Sequence, residues 1–381
     1  MIRHGDRPRG KWIVGETMWF IILSLALAAA VAGVIFLISR VRKFSFVGKI
    51  SSSESGVKGT LVSTLAVLIF AVLLYLALGT MNAIVVFIVL ALIWLICDLI
   101  SDIFFRIFGK KSRIYYSGII AIVLTALYLG IGYYNAVHVV CTEYKITTDT
   151  DREPLTIALV ADSHVGTTMN GDDFARYIEE IGSKQPDVLV VAGDLFDDST
   201  GRDDMIRSCE ALGRIQTQYG VFYSFGNHDR GYGRSDERGY DADDFISLLK
   251  DNGVVVLEDE IANIGEDYCI IGREDKNHED RQPISELMSE AQSDRYSIVI
   301  DHQPSDYDAE AAAGCNLVLS GHTHGGQMIP ITYVGEWIKA NDATYGYEKR
   351  GDTDFIVTSG LGDWEILFKT GCRSEYVMVY L

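Results

Sequence analysis

Five short clusters in the second half of the chain combine aspartate, asparagine and histidine with glycine. They are Asp162-Ser163-His164, Gly193-Asp194-Leu195-Phe196-Asp197, Gly226-Asn227-His228-Asp229, Asp301-His302 and Gly321-His322-Thr323-His324-Gly325-Gly326. Imidazole, carboxylate and amide oxygen are ligands for Mn, Fe, Zn or similar divalent ions, and none of the five contains a soft thiolate. Asp162 and His164 are two residues apart, as are His322 and His324. In an extended segment side chains at i and i+2 point the same way, so each pair can grip one centre. The adjoining glycines let the backbone turn without a side-chain clash. An isolated Asp-x-His is common in ordinary turns, whereas five such clusters in one chain suit a dinuclear metal site.

Such side chains need elements that deliver them to one place. Each cluster ends an apolar run: Pro154 to Val160, Val188 to Ala192, Val221 to Phe225, Ser297 to Ile300, and Leu317 to Ser320. Short runs of this kind read as buried strands. Helical stretches from about Asp172 to Ser183 and over about 203–218 separate the first three, giving an α/β alternation. In open α/β sheets the carboxyl ends of the strands form the ligand-binding crevice, and here every cluster sits at such an end.

At these residues the chain resembles the calcineurin-like metallophosphoesterases. The family pattern D-x-H, G-D-x-x-D, G-N-H-D/E, a lone His and G-H-x-H is matched by residues 162–164, 193–197, 226–229, His302 and 321–324. The resemblance covers roughly residues 153–381, and SGHTHGGQ at 320–327 with SGLG at 359–362 looks like the membrane-anchored YkuE-like branch. It implies a four-layer α/β/β/α sandwich holding two divalent metal ions. Carried over by position, Asp162, His164, Asp194 and His324 would hold one ion. Asp194, Asn227, His302 and His322 would hold the other, with Asp194 bridging. His228 becomes the candidate general acid, with Asp229 orienting its ring, while Gly166 and Asp197 are expected to shape loops. The implied reaction is hydrolysis of a phosphodiester, pyrophosphate or phosphomonoester by a hydroxide bridging the two ions.

The charge distribution is split. The 381 residues carry a net charge of −19, but residues 1–140 hold 13 basic and 5 acidic side chains while 141–381 hold 20 and 47. A second part at −27 argues against a nucleic-acid partner. The first part contains uncharged runs too long for a soluble chain, with no helical-period polar face: 23 residues over 17–39 and 39 residues over 59–97. Gly79-Thr80-Met81-Asn82 offers a turn, so about four transmembrane helices are expected near 17–39, 60–78, 83–100 and 114–134, forming an all-α membrane domain over 1–140. A linker at 141–152 would lead to the catalytic domain at 153–381.

Loops 40–59 and 101–113 hold five and four basic residues. The positive-inside rule puts them in the cytoplasm and the catalytic domain outside the plasma membrane. Asp98 and Asp102, at the end of the third expected span, read as interfacial. His4, His138 and His278 lack ligand-type neighbours, and the six cysteines form no CxxC pair. The reading is a membrane-anchored phosphoesterase, with lipid-linked or cell-envelope phosphate esters as candidate substrates. The alternative is a transport or sensing protein whose metal-binding domain is regulatory. Four spans almost free of interior polar residues offer a solute no pathway.

Overall fold

Two units make up the protein, Met1–Leu129 and Gly130–Leu381. The structure is a computed structural model that describes residues 24, 27–50, 56–109, 114–148, 152–231, 238–291 and 294–381.

The first unit is helical, with an apolar helix Leu27–Val41, a short helix Ser45–Ile50 and a long helical stretch Gly56–Phe108. The helix Tyr116–Val137 continues in sequence into the second unit. Gly79, at φ 77° and ψ 177°, interrupts the long stretch. Phe70 and Phe87 nevertheless have ring centroids 5.7 Å apart, where 17 residues of straight helix would separate them by about 25 Å. The chain therefore doubles back at this glycine, and the turn expected over 79–82 is made by one residue. Among the described residues two helices are long and apolar enough to cross a bilayer, Gly56–Phe108 and Tyr116–Val137. The spans expected near 60–78 and 83–100 lie on either side of Gly79 within one helical stretch, the one near 114–134 falls within Tyr116–Val137, and the start of 17–39 lies outside the described residues. Asp98 is also more than interfacial. It is 7% exposed and receives Arg40 at 2.9 Å, Lys43 at 3.3 Å, and the hydroxyls of Tyr115 and Ser117 at 2.7 Å each.

The second unit is a mixed α/β sandwich. One six-stranded sheet has the order β1-β12-β2-β3-β4-β5 and the other β10-β11-β9-β8-β7-β6. Here β1 is Val140–Lys145, β2 Thr156–Val160, β3 Val188–Ala192, β4 Val221–Ser224, β5 Val255–Leu257 and β6 Glu260–Ile264. The remaining strands are β7 Tyr268–Gly272, β8 Tyr296–Ile300, β9 Leu317–Ser320, β10 Gly346–Arg350, β11 Thr353–Val357 and β12 Glu375–Tyr380. Neighbouring side chains in a strand face opposite ways, and β2 divides accordingly. Ile157 and Leu159 join Val190, Ile270, Ile298 and Leu319 between the sheets. Ala158 and Val160 face Phe174, Ile178, Leu212 and Phe245 from the helices Gly171–Ser183, Arg202–Arg214 and Ala242–Asp251. On the far side Val299, Val318 and Phe355 pack with Ile284, Leu287 and Tyr307 from two shorter helices. Capping boxes Asn170/Asp173 and Asp241/Asp244 start two of the helices.

Two boundaries differ from expectation. The linker expected at 141–152 contains most of β1, which pairs in parallel with β12 over Val140–Lys145. The sequence VCTEYK mixes β-branched, aromatic and charged residues and gives no continuous apolar run, hence its partly exposed edge position. The helix expected over 203–218 ends at Arg214, because Ile215 turns extended (φ −64°, ψ 136°) and packs on the core.

Candidate metal centre

The carboxyl ends of β2 and β3 release the chain into two turns that are bonded together. Asp162 N donates to Gly193 O at 3.0 Å and His164 N to Asp194 O at 3.1 Å. In the other sheet Gly321 N donates to His302 O at 3.0 Å, joining the ends of β8 and β9. Contacts between the sheets complete the cluster. His322 N donates to both Asp162 carboxylate oxygens, at 3.0 and 2.8 Å, and His302 Nδ1 lies 2.7 Å from Ala192 O. A methyl group at Gly226 would overlap Asp194 Oδ1, and one at Gly321 would overlap Asp162 Oδ2. Glycine is required at both for the turns to approach so closely.

Six of the seven expected ligands fall into two groups, Asp162/His164/His324 and Asp194/His302/His322, each with its ligand atoms within 4.8 Å of one another. Asp194 Oδ2 reaches both, 3.1 Å from His302 Nε2 and 3.7 Å from His164 Nε2. Asn227, the seventh, follows Gly226 in the turn seated against the Asp194 carboxylate. The donors suit divalent cations: His164 Nε2 is buried with no hydrogen-bond partner, and the expected ligands offer imidazole nitrogen, carboxylate oxygen and, from Asn227, amide oxygen. Asp162, His164, Asp194, His322 and His324 all have φ between 39° and 71°. Residues other than glycine held there cost of order 1–3 kcal/mol each and cluster at functional sites.

The electrostatics hold some ligands charged and others neutral. Burial opposes the charge on Asp194, but His302 and His164 outweigh it and keep its carboxyl well below the usual range. Burial likewise opposes protonation of His302, yet Asp194 raises it well above an ordinary imidazole. His322 is pushed down to about 3 by burial and by His302. Burial lowers His228 as well, despite Asp194.

Further residues orient these ligands. Asp197 Oδ2 is 3.3 Å from His164 Nδ1 while its Oδ1 accepts from Ser199 N at 2.7 Å, so it aims a ligand as well as shaping a loop. Asp363 Oδ1 is 3.6 Å from His324 Nδ1 and 3.1 Å from Lys369 Nζ, and accepts from Gln327 Nε2 at 3.2 Å. A carboxylate behind a ligating imidazole fixes its tautomer and orientation. The sequence alone assigns no role to Asp363 or Lys369.

Asp229 stands apart from its expected role at the His228 ring. Its Oδ2 accepts from Gly226 N at 2.7 Å and Asp194 N at 2.8 Å. Its Oδ1 accepts from Leu195 N at 2.9 Å and Phe196 N at 3.3 Å. It therefore clamps the turn carrying Asp194. His228 N donates to Asp194 Oδ1 at 2.8 Å. Its ring centroid lies 5.0 Å from His164 and 5.3 Å from Trp364.

Residues 155–326 match the calcineurin-like phosphoesterase family. The chain is 29% identical over 242 residues to an uncharacterized metallophosphoesterase of Helicobacter pylori, covering 61% of this chain and 60% of that one. It is 28% identical over 242 residues to a transmembrane protein with metallophosphoesterase domain of Danio rerio, covering 60% and 53%. With the uncharacterized metallophosphoesterase YkuE of Bacillus subtilis it shares 28% over 223 residues, covering 54% and 71%. The alignment with a metallophosphoesterase homologue of Caenorhabditis elegans spans 48% of that protein, so the chain matches about half to three fifths of the first relatives' length. A dimetal phosphatase from Danio rerio superposes at TM-score 0.35 with 11% identity, covering 54% of this chain and 87% of that one.

Proposed function

This chain carries a calcineurin-like metallophosphoesterase domain, and from that premise we propose that it is a membrane-associated, dinuclear metal-dependent hydrolase of phosphate esters. The observation that carries the reading is Asp194 Oδ2 within 3.7 Å of imidazoles from both ligand groups. Asp162, His164 and His324 would hold one ion, His302, His322 and Asn227 the other, and Asp194 both. Two such ions supply an activated water and a clamp for the phosphoryl oxygens.

The chain's own residues do the rest. Asp197 and Asp363 hold the His164 and His324 rings, and Asp229 fixes the turn of Asp194. His228 gives a proton to the leaving oxygen. Burial keeps its free-state pKa below the ordinary 6.5, and bound cations would push it the same way. The limb of the kcat/KM profile that belongs to His228 should thus fall below pH 6.5. Two apolar helices and the name of the Danio rerio relative support a membrane setting. The basic loops 40–59 and 101–113 favour an extracytoplasmic domain. Phosphate esters presented at a membrane are the substrate class this setting favours.

The test is hydrolysis of mono-, di- and pyrophosphate esters by the full chain in detergent with Mn²⁺. Asp194→Asn should lose bound metal and at least about 10³-fold in kcat. His228→Ala should keep its metal, lose turnover by about 10²-fold and lose its pH limb. Absence of turnover with every ester despite full metal loading would refute the reading.

A further inference from the structure

The segment 329–338 begins five residues after His324 and carries a run of apolar side chains that are more than half exposed. Ile329, Ile331, Tyr333, Trp337 and Ile338 are 56%, 57%, 53%, 72% and 55% exposed. Contiguous apolar surface of this kind marks a site of interaction, whereas single exposed residues such as Val255 need no explanation.

Its neighbours identify the partner. Ile329 N donates to Thr370 Oγ1 at 3.0 Å, and Thr370 N to Gln327 O at 2.9 Å. Lys369 N donates to Gly132 O at 2.9 Å, and Asn135 Nδ2 to Lys369 O at 3.1 Å. The apolar run is thus joined through 369–370 to the last turns of the helix Tyr116–Val137, where Ile131, Tyr133 and Tyr134 are half or more exposed. That helix is long and apolar enough to cross a bilayer. Tyrosine and tryptophan at such an end are interfacial anchors. Residues 141–381 carry a net charge of −27, which disfavours attachment to anionic headgroups by charge and leaves apolar insertion as the available mode.

We propose that 329–338 seats its apolar side chains in the interfacial layer of the bilayer that holds the helix. The rim of the metal centre beside His324 is then held at headgroup depth. The consequence for substrate, phosphate esters carried on lipids, rests on the phosphoesterase reading; the membrane contact does not.

The full chain, reconstituted in vesicles of phosphatidylethanolamine and phosphatidylglycerol, is tested with a benzophenone amino acid in place of Ile331, Trp337 or Val255. Illumination should give lipid adducts at 331 and 337 and none at 255, with yields unchanged by added salt. Equal adducts at all three positions, none at 331 and 337, or cross-links between two copies through 337 would overturn the proposal. Crosslinking needs no turnover, so its outcome is independent of the activity. In turnover, Ile331→Ser with Trp337→Ser should lose about tenfold on a vesicle-borne phosphodiester and nothing on a soluble aryl one. Parallel loss on both, or on neither, would remove the link to substrate.

Discussion

Lys369 Nζ lies 3.1 Å from Asp363 Oδ1, and neither side chain is exposed to solvent. The ammonium also donates to Ser359 O at 2.8 Å, Gly362 O at 2.9 Å and Ser374 Oγ at 3.0 Å. It has partners on every side. A buried pair of this kind is costly to break from one end, because the remaining charge is left in a low-dielectric interior. Lys369→Met should destabilise the α/β unit by about 3–5 kcal/mol, read as a shift in denaturation midpoint. Asp363→Asn keeps the shape but weakens the support of His324, and should lower metal affinity by about 10–100-fold, measured by titration. Unchanged affinity in that variant would show that Asp363 serves packing alone.

A second carboxylate offers a test of turn geometry. Asp229 accepts four backbone amides, with two on each oxygen. Asn can present only one oxygen, and its NH₂ would face two amide donors. Asp229→Asn should therefore cost about 1–3 kcal/mol or more and reduce metal content through the displaced Asp194 turn. Loss of turnover with stability and metal content intact would instead place Asp229 at the His228 ring.

A cluster that includes Asp301, next to the proposed ligand His302, sets a pH dependence. Arg273, 2% exposed, meets Asp301 and Asp306 at 2.8 Å each and Glu310 at 3.4 Å. Burial raises the Glu310 carboxyl well above 4.5, and Asp301 raises it further. Folded Glu310 thus keeps a proton that the unfolded chain gives up above about pH 4.5, so its contribution to stability falls as pH rises beyond that point. Glu310→Gln removes this term. The variant should gain stability over the parent progressively above pH 4.5 and match it below, in denaturation curves from pH 4 to 8. A constant offset across that range would contradict a protonated Glu310.

Five of the proposed ligands share a positive φ, a conformation that side chains other than glycine adopt only at a cost. Ions at 100 times their dissociation constant should add about 2.7 kcal/mol to stability. Chelation should lower the melting temperature accordingly, and Mn²⁺ should restore it. A melting temperature indifferent to chelator would argue against these residues as ligands.

Much of the site was legible because each ligand ends a strand. The runs before Asp162, Asp194, Asn227, His302 and His322 are almost wholly buried and predominantly apolar, so the strand and its terminal cluster are visible together. Asp363 and Lys369 follow no such strand. They lie in a stretch without regular structure before β12, and their pairing with His324 arises from a chain reversal that local sequence does not encode. Asp229 was found, but adjacency in sequence pointed only to His228. The amides of 194–196 that it also accepts are brought near by the β3–β4 pairing. In the helical unit Gly79 opens the turn expected over 79–82; what composition does not reveal is that one residue suffices.

The position of β12 has a bearing on biosynthesis. It lies between β1 and β2, parallel to one and antiparallel to the other, and Thr142 bonds Glu375 from 233 residues away. Until residues 375–380 have been made, β1 therefore has no partner in the sheet and β2 has only β3. Closing so long a loop is slow. Until then the edge of β2 that β12 will cover is open to pairing with another strand.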